Sequence, residues 1–114
     1  MSSITTVDYL GDNLIAGEVV TREGAPLAAD TYYRGMPLKM NDGGDAYEYT
    51  ATVPEVIYNG PERTLSGAGI GSIIVAGEVD SRGIVDDAGD ALTVTQAMIT
   101  NAKKYGLIIK LKGD

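Results

Sequence analysis

The sequence contains no cysteine, no histidine, no tryptophan and no phenylalanine among its 114 residues. The absence of cysteine excludes disulfides, thiolate nucleophiles and cysteine-ligated metals. The absence of histidine removes the side chain best suited to proton transfer near neutral pH, and also the commonest zinc ligand. Catalysis by this chain would therefore depend on carboxylate or lysine chemistry.

Seven tyrosines supply all of the large aromatic surface, in a chain that is 44% hydrophobic. This hydrophobic content predicts a folded domain, and the length predicts a single one that buries roughly two-thirds of its unfolded surface. Tyrosine suits positions that are partly buried and partly exposed to solvent. The tyrosines could thus line a subunit boundary or simply the edge of a small core, and the sequence leaves both open.

Positive charge is scarce, with 9 basic residues against 16 acidic ones and a net charge of −7. Nucleic acids and anionic membranes both need cationic surface, so we expect neither as a partner. The longest aliphatic stretch, Ile73 to Ala76, is far too short to span a bilayer, and the N-terminus lacks a signal-peptide pattern. We therefore predict a soluble chain made in the cytoplasm, without a membrane segment.

The few basic residues are unevenly placed. Residues 1–102 carry 5 basic and 15 acidic groups, whereas residues 103–114 carry 4 basic groups and 1 acidic group. One interpretation is that the lysines near the C-terminus face an acidic partner. The other is that they complete a helix C-terminus and a solvated last strand. These lysines are Lys103, Lys104, Lys110 and Lys112.

The first 14 residues differ from the remainder of the chain. They are polar and aperiodic apart from four apolar side chains, so no core-facing pattern persists there. The sequence predicts a flexible N-terminal arm at residues 1–14 that orders on a partner, followed by one domain at residues 15–114. The apolar side chains of the arm are Ile4, Val7, Tyr9 and Leu10.

Strand-like segments dominate the first half of the domain. We predict a strand from Ile15 to Arg22 that ends in a turn at Glu23 to Pro26. A second strand covers Leu38 to Met40. From Tyr47 to Val53 apolar and polar residues alternate, which predicts one half-buried strand. Two segments sixty positions apart, residues 15–22 and 75–82, resemble each other, either as equivalent strands or by chance.

A glycine cluster precedes the most apolar run of the chain. Gly67, Gly69 and Gly71 lead into Ile73 to Ala76. A phosphate-binding loop would need a different glycine spacing and, in the Walker A motif, a lysine. The run that follows is rich in β-branched residues, so it predicts a buried strand in which the glycines have a structural role. Gly60 is assigned to a turn.

The only predicted helix lies near the C-terminus. Thr93 and Gln96 have the spacing of a capping box, and Gly106 is placed to end the helix. Leu107 to Leu111 then predict a closing strand. The apolar stripe of this helix would be formed by Met98, Ile99, Ala102 and Tyr105. The predicted fold is mainly β with one short C-terminal helix (α+β), a small β-sandwich or barrel-like domain.

Motifs of catalysis and metal binding are incomplete. No Gly-x-Ser-x-Gly nucleophile elbow is present. Asp86, Asp87 and Asp90 form the densest acidic cluster, but an EF-hand loop starting at Asp86 lacks two of its ligand positions. Lys39 has methionine at the neighbouring position, as in biotin carriers. Carriers present this lysine at the tip of a hairpin, whereas the predicted turn here follows the lysine. We therefore assign no catalytic, cofactor-binding or metal-binding residue.

The order of the remaining segments resembles a known family. Five segments carry the resemblance: Pro37 to Asn41, Tyr58-Asn59-Gly60, Gly71 to Ala76, Gln96 to Tyr105, and Leu107 to Leu111. Taken in sequence, they resemble the lambda-type head decoration proteins of tailed bacteriophages, which stabilise the capsid. The resemblance covers roughly residues 24–112.

This resemblance implies a structural virion protein without enzymatic activity or cofactor. Such a protein binds the outside of an expanded capsid as a homotrimer. Its N-terminal arm contacts the major capsid protein, here through Ile4, Val7, Tyr9 and Leu10. Two alternatives remain open, a small β-sheet carrier or ligand-binding module with Lys39 as the modified lysine, and a carboxylate enzyme on a β scaffold.

Overall fold

Residues 14–111, the part of the chain that the computed structural model describes, form eight β-strands, one α-helix and a short 3-10 helix. The fold is mainly β with its α-helix near the end of this range, which confirms the predicted fold class. The strands are β1 (Ile15–Leu27), β2 (Asp30–Tyr32), β3 (Pro37–Met40), β4 (Tyr47–Tyr49), β5 (Val56–Tyr58), β6 (Arg63–Leu65), β7 (Gly69–Asp80) and β8 (Leu107–Lys110). Helix α1 is Gln96–Lys103, and the 3-10 helix is Ser81–Gly83.

Five strands close into a small barrel. Their order is β1-β4-β3-β5-β7, and β1 pairs again with β7 to complete the ring. The β1–β7 pair is antiparallel and is the longest in the fold, whereas β1 meets β4 only at Leu27 and Tyr47. Strand β8 lies outside the ring and adds in parallel to the second half of β7. Strands β2 and β6 form a separate two-stranded sheet.

Two hydrophobic clusters lie on opposite faces of the barrel wall. Ile73 belongs to one and its neighbour Ile74 to the other. Strand β7 is therefore buried on both faces in its centre, which explains why its sequence is apolar without alternation. The first cluster contains Leu14, Ile57, Ile74, Val79, Ile84, Met98, Ala102, Leu107 and Ile109. The second contains Ala25, Leu27, Tyr32, Met36, Leu38, Val56, Tyr58 and Ile73.

The turn predicted at Glu23 to Pro26 is wrong, because β1 continues through it to Leu27. Gly24 has a φ of 72° and lies within a register shift between Arg22 and Ala25. A glycine in the left-handed region can hold one extra residue as a β-bulge while the strand continues. The glycine signal was therefore real, but it marks a bulge rather than a reversal of the chain.

The predicted strand from Tyr47 to Val53 is also wrong beyond Tyr49, where β4 ends. The Thr50 hydroxyl accepts hydrogen bonds from the backbone N–H groups of Thr52 and Val53, at 3.3 and 3.1 Å. Its side chain thus turns the backbone away from the sheet. As a result Thr50 is buried and Ala51 and Val53 are exposed, opposite to the predicted alternation.

Helix α1 begins two residues later than predicted. Its N-cap is Thr95, whose side chain accepts from Met98 N, so the capping box predicted at Thr93 is wrong. Val94 and Ile99 both pack against the first cluster, in the positions of a hydrophobic staple that fixes the helix start. The C-cap is Lys104 and not the predicted Gly106, which lies two residues further on with a left-handed φ of 86°. Tyr105, assigned to the apolar stripe, is instead exposed.

The two similar segments at residues 15–22 and 75–82 lie beside each other in β1 and β7. Ile15 pairs with Val79 and Val19 pairs with Gly77, with a register shift between the two pairs. Gly77 has a φ of 111°. A bulge of this kind increases the local twist, which helps a long two-stranded ribbon bend into a barrel wall.

Replacing Gly71 with valine is expected to lower the free energy of unfolding by about 2 kcal/mol, the cost of overpacking. A Cβ at this position would lie 2.6 Å from Leu27 Cδ1 and 3.3 Å from Tyr58 Cε1, both inside the barrel. Chemical denaturation of the two proteins measures the difference. Equal midpoints and slopes would contradict the close packing of Gly71.

Candidate interaction surfaces

The predicted arm meets the domain at the end of β7. The Asp80 N–H donates to the Leu14 carbonyl at 2.7 Å, and Leu14 is buried in the first cluster. Leu14, the last residue assigned to the arm, is therefore part of the core. The four predicted capsid-contact residues, Ile4, Val7, Tyr9 and Leu10, lie outside the described residues.

Strand β8 is the last strand of the six-stranded sheet. Among the described strands it pairs with β7 only, in the register Gly77 with Leu107 to Asp80 with Lys110. The Gly77 N–H donates to the Gly106 carbonyl at 3.0 Å. By the alternation of a parallel ladder, Ile108 and Lys110 then direct their N–H groups at β7, whereas Leu107 and Ile109 direct theirs away from it.

Those outward groups have no strand beside them in the described part of the chain. No backbone hydrogen bond reaches the Leu107 or Ile109 N–H from residues 14–111. Both side chains are nevertheless buried, because they point at the first core cluster. Leu107 and Ile109 are 0% and 4% exposed as whole residues, so their outward N–H groups are covered and do not form an open edge.

The surroundings of β8 are both basic and apolar. Lys103 and Lys104 are exposed at the end of α1, and Lys110 lies 3.7 Å from Glu78 across the β7–β8 pair. Tyr105 and Leu111, at the two ends of β8, are 54% and 63% exposed. The described lysines of the C-terminal end thus flank β8, and two large apolar side chains lie beside them.

Strand β1 has an open edge. From Ile15 to Pro26 it has β7 on one side, and within residues 14–111 no strand on the other. Three register irregularities interrupt it, and Glu18, Arg22 and Glu23 are exposed along it. Bulges and charges are features that discourage edge pairing. Strand β8 is regular by comparison.

Most of the described tyrosines are part of the fold rather than of its surface. Tyr32 and Tyr58 are fully buried, with ring centroids 5.4 Å apart. Tyr33, Tyr47 and Tyr49 pack partly buried against the same cluster. Of the six tyrosines within residues 14–111, only Tyr105 is exposed. The edge-of-core interpretation therefore fits Tyr33, Tyr47 and Tyr49, whereas Tyr32 and Tyr58 belong to the core itself.

The Tyr58-Asn59-Gly60 segment, one of those that carry the family resemblance, has a structural role. The Tyr58 hydroxyl donates to the Pro61 carbonyl at 2.7 Å, and its ring covers Gly60 so closely that a Cβ there would lie 2.6 Å from the hydroxyl oxygen. Asn59 is buried and accepts from Arg34 Nη1 through Oδ1 at 2.6 Å. Through these contacts with Pro61 and Arg34, the segment stabilises the end of β5.

Asn59 continues into a polar network that the sequence did not reveal. Its Nδ2 donates to Ser72 Oγ at 2.9 Å, and the Ser72 hydroxyl donates to Glu23 Oε2 at 2.6 Å. Asn59 directly follows β5, Ser72 lies in β7 and Glu23 in β1, so no spacing motif could have brought them together. The network crosslinks three barrel strands at their surface.

The acidic cluster and Lys39 also have local partners. Asp86 Oδ1 accepts from the backbone N–H groups of Ala88 and Asp90, both at 2.9 Å, which makes the cluster an Asx-type turn. Within residues 14–111 no three acidic side chains are arranged to hold a metal ion. Lys39 lies within β3 opposite Glu48, with 3.7 Å between Lys39 Nζ and Glu48 Oε2. Carrier lysines lie at a hairpin tip, and Lys39 does not.

Comparison with protein-family models, with curated proteins and with solved structures finds no match to this chain. No helix in residues 14–111 is long and apolar enough to cross a membrane. The functional argument therefore depends on the surfaces described above and on the order of the sequence segments.

Proposed function

We propose that this chain is a structural virion protein that binds the outside of an expanded bacteriophage capsid as a homotrimer and stabilises the shell. The observation that carries the proposal is the agreement between the five family-like segments and the elements they form. Residues 37–41 supply β3 and its turn, residues 71–76 lie in β7, and residues 96–105 and 107–111 supply α1 and β8.

The arm residues Ile4, Val7, Tyr9 and Leu10 are the proposed contacts with the major capsid protein. Support comes from where the described domain begins. Leu14 is fixed in the core by its own burial and by the Asp80 N–H, so any contact made by residues 1–13 is transmitted to a rigid point.

Trimer formation would make three weak arm contacts act together. Once one arm is bound, the others bind as intramolecular events at a high effective concentration, so overall retention can exceed that of one arm by orders of magnitude. The excess of acidic residues, with a net charge of −7, keeps such a surface soluble. The protein acts by binding alone in this proposal, without catalysis and without a cofactor.

The arm is tested in the full chain by replacing Ile4, Val7, Tyr9 and Leu10 together with serine. Binding to expanded, undecorated heads is expected to weaken at least about 100-fold, because four apolar side chains lose their buried area. Co-sedimentation with the heads measures retention, and the thermal melting of the variant should match that of the parent chain.

The matched control replaces two exposed apolar residues of the body, Val20 and Ile70, with serine. This variant should bind the heads like the parent. Unchanged binding by the arm variant would overturn the arm assignment. Electron microscopy of decorated heads should show three copies around each three-fold or quasi-three-fold position, and isolated single copies would overturn the trimer.

A further inference from the structure

We infer that Asp42 is the residue that rearranges spontaneously to isoaspartate in the folded chain, and that the fold protects Asn59 from the same chemistry. Among the aspartates and asparagines of the sequence, these two are the ones that precede a glycine. Glycine carries no Cβ, so its backbone nitrogen can attack a neighbouring carbonyl with the least hindrance. The inference concerns the covalent chemistry of the chain and goes beyond the proposed capsid binding.

The reaction is an internal attack by the backbone that needs only water. The nitrogen of the glycine forms a bond with the side-chain carbon Cγ of the preceding residue and closes a cyclic imide. At asparagine the Cγ–Nδ2 bond breaks and ammonia leaves, whereas at aspartate a Cγ–O bond breaks and water leaves. One water molecule then opens the ring at either carbonyl, which gives aspartate or isoaspartate. In an unfolded chain asparagine reacts faster than aspartate, so the sequence alone favours Asn59.

The folded chain holds the Asn59 side chain away from this reaction. Its Nδ2 donates to Ser72 Oγ at 2.9 Å, and its Oδ1 accepts from Arg34 Nη1 at 2.6 Å. The Asn59 N–H donates to the Ser72 carbonyl at 2.8 Å, and the residue is buried. Turning Cγ towards the Gly60 nitrogen would break both side-chain hydrogen bonds and leave buried polar groups without partners. The reaction at Asn59 therefore requires local opening of the structure, which is rare.

The attacking nitrogen is restrained as well. A Cβ built at Gly60 would lie 2.6 Å from the Tyr58 hydroxyl oxygen and 2.9 Å from Tyr58 Cζ, so the tyrosine ring lies directly over the glycine. The same hydroxyl donates to the Pro61 carbonyl at 2.7 Å and fixes the backbone that follows. Gly60 thus lacks the freedom that makes a glycine reactive in an unfolded chain.

Asp42 lies at the tip of the turn between β3 and β4, where the surroundings are different. Asp42 and Gly43 are both exposed. Within residues 14–111 the Asp42 carboxylate accepts no hydrogen bond and the Gly43 N–H donates none. No atom lies within 4 Å of a Cβ built at Gly44, the next residue. The carboxyl group and the attacking nitrogen can therefore approach each other without opening the core.

The turn is anchored at its ends, so it can tolerate the product. The Asn41 N–H donates to the Ala46 carbonyl at 2.9 Å, and Asn41 Nδ2 donates to Asp45 Oδ1 at 2.8 Å. Across the tip the Gly44 N–H donates to the Asn41 carbonyl at 3.0 Å. Gly44 is exposed, so opening this bond uncovers no part of the core. Isoaspartate lengthens the backbone by one carbon, and the change remains within the turn.

Incubation of the folded full chain in H₂¹⁸O tests the inference, because each ring opening adds one solvent oxygen to the new carboxylate. A glutamate-specific protease, used afterwards in ordinary water, separates the two sites, since Glu48 and Glu55 lie between them. Mass spectrometry of the peptides then measures the label. In the folded protein Asp42 is expected to gain label at least about tenfold faster than Asn59, because reaction at Asn59 awaits local opening.

The same incubation in concentrated urea should reverse the order, with Asn59 labelled faster than Asp42. Faster labelling of Asn59 in the folded protein would overturn the inference, as would an Asp42 that gains label only in urea. Chromatography of the Asp42 peptide should resolve an isoaspartate form of equal mass apart from the label. Label without this form would overturn the assignment to isoaspartate.

Gly43→Ala is the matched variant for the reacting turn. The nearest atoms to a Cβ at Gly43 lie at 3.7 Å and its φ is not left-handed, so the substitution fits the fold. The added methyl group hinders the attacking nitrogen, and labelling of Asp42 should fall several-fold while Asn59 is unaffected. Labelling of Asp42 at the parent rate would contradict the imide route.

Ser72→Ala is the variant for the protected site. It removes the hydroxyl that accepts from Asn59 Nδ2, so labelling of Asn59 in the folded protein should rise several-fold. Thr64→Ala is its control, since it removes a hydroxyl that is exposed and bonded only to Thr31 within residues 14–111. Thermal melting verifies that both variants are folded during incubation. Equal labelling of Asn59 in the two variants would overturn the protective role of the network. None of these outcomes involves heads, so they are independent of the proposed capsid binding.

Discussion

Replacing Gly77 with alanine is expected to lower the free energy of unfolding by about 3 to 5 kcal/mol. The glycine has a φ of 111°, a conformation that side chains rarely adopt. A Cβ built there would lie 2.2 Å from the Glu18 carbonyl oxygen and 2.6 Å from Val19 Cα. Both obstacles are backbone atoms of the paired strand, so no rotamer change can relieve them. Urea denaturation of the two proteins measures the loss.

Gly67→Ala is the matched control for this substitution. No atom lies within 4 Å of a Cβ built at Gly67, and its φ is not in the left-handed region. Its stability should lie within about 0.5 kcal/mol of the parent chain. If Gly77→Ala is as stable as Gly67→Ala, the bulge that joins β1 to β7 is not as close as the structure describes.

The second large effect is a loss of stability in alkaline solution that depends on Tyr32. Its ring is fully buried and its hydroxyl donates to the Ala28 carbonyl at 2.6 Å. Burial, together with the negative charges of Asp30 and Glu48, raises the pKa of Tyr32 from 10.0 to about 12. The unfolded chain therefore releases this proton before the folded chain does.

The sign of the effect follows from this difference. Below pH 10 both states hold the proton, and the contribution of Tyr32 is fully present. Between pH 10 and about 12 the unfolded state binds fewer protons than the folded state. The contribution of Tyr32 to the free energy of unfolding therefore falls by about 1.4 kcal/mol per pH unit. Over that window the loss approaches about 3 kcal/mol. Denaturation curves at successive pH values measure it.

Tyr32→Phe should make the fall in stability between pH 10 and 12 shallower, although the lost hydrogen bond costs about 1 kcal/mol at neutral pH. The comparison is therefore one of slopes. Burial also raises the pKa values of Tyr58 and Tyr49, so some alkaline loss should remain in the variant. Tyr105→Phe, which changes an exposed residue, should leave the slope unchanged. Identical slopes for all three proteins would contradict the assignment to Tyr32.

The sequence was sufficient for those elements whose residues face the same surroundings along their whole length. Strand β7 is apolar because two cores cover it, and the turn that follows α1 ends at Gly106, which takes a left-handed φ. The predictions failed where a single residue redirects the backbone or lets it bulge. Thr50 ended β4 by accepting two backbone hydrogen bonds, and Gly24 carried β1 through a predicted turn.

The candidate surfaces were harder to predict, because they depend on which strands become neighbours. The sequence identified a basic C-terminal end and an apolar segment near the N-terminus. It could not indicate that β8 pairs, among the described strands, with β7 alone, or that Glu23, Asn59 and Ser72 meet from distant parts of the chain. Both facts follow from barrel closure, which is a long-range property of the chain. The start of α1 was also ambiguous in the sequence, because Thr93 and Thr95 both suit an N-cap. The packing of Val94 and Ile99 favours Thr95.

The β1–β7 ribbon has a consequence for how fast the domain can fold. Its outermost pair joins Ile15 to Val79, so every strand of the barrel lies within the segment that the ribbon closes. Closing this long loop lowers the conformational entropy of the chain before the strand pairs can compensate the loss. Folding on a timescale of roughly milliseconds to seconds is therefore expected, as in other domains dominated by non-local contacts.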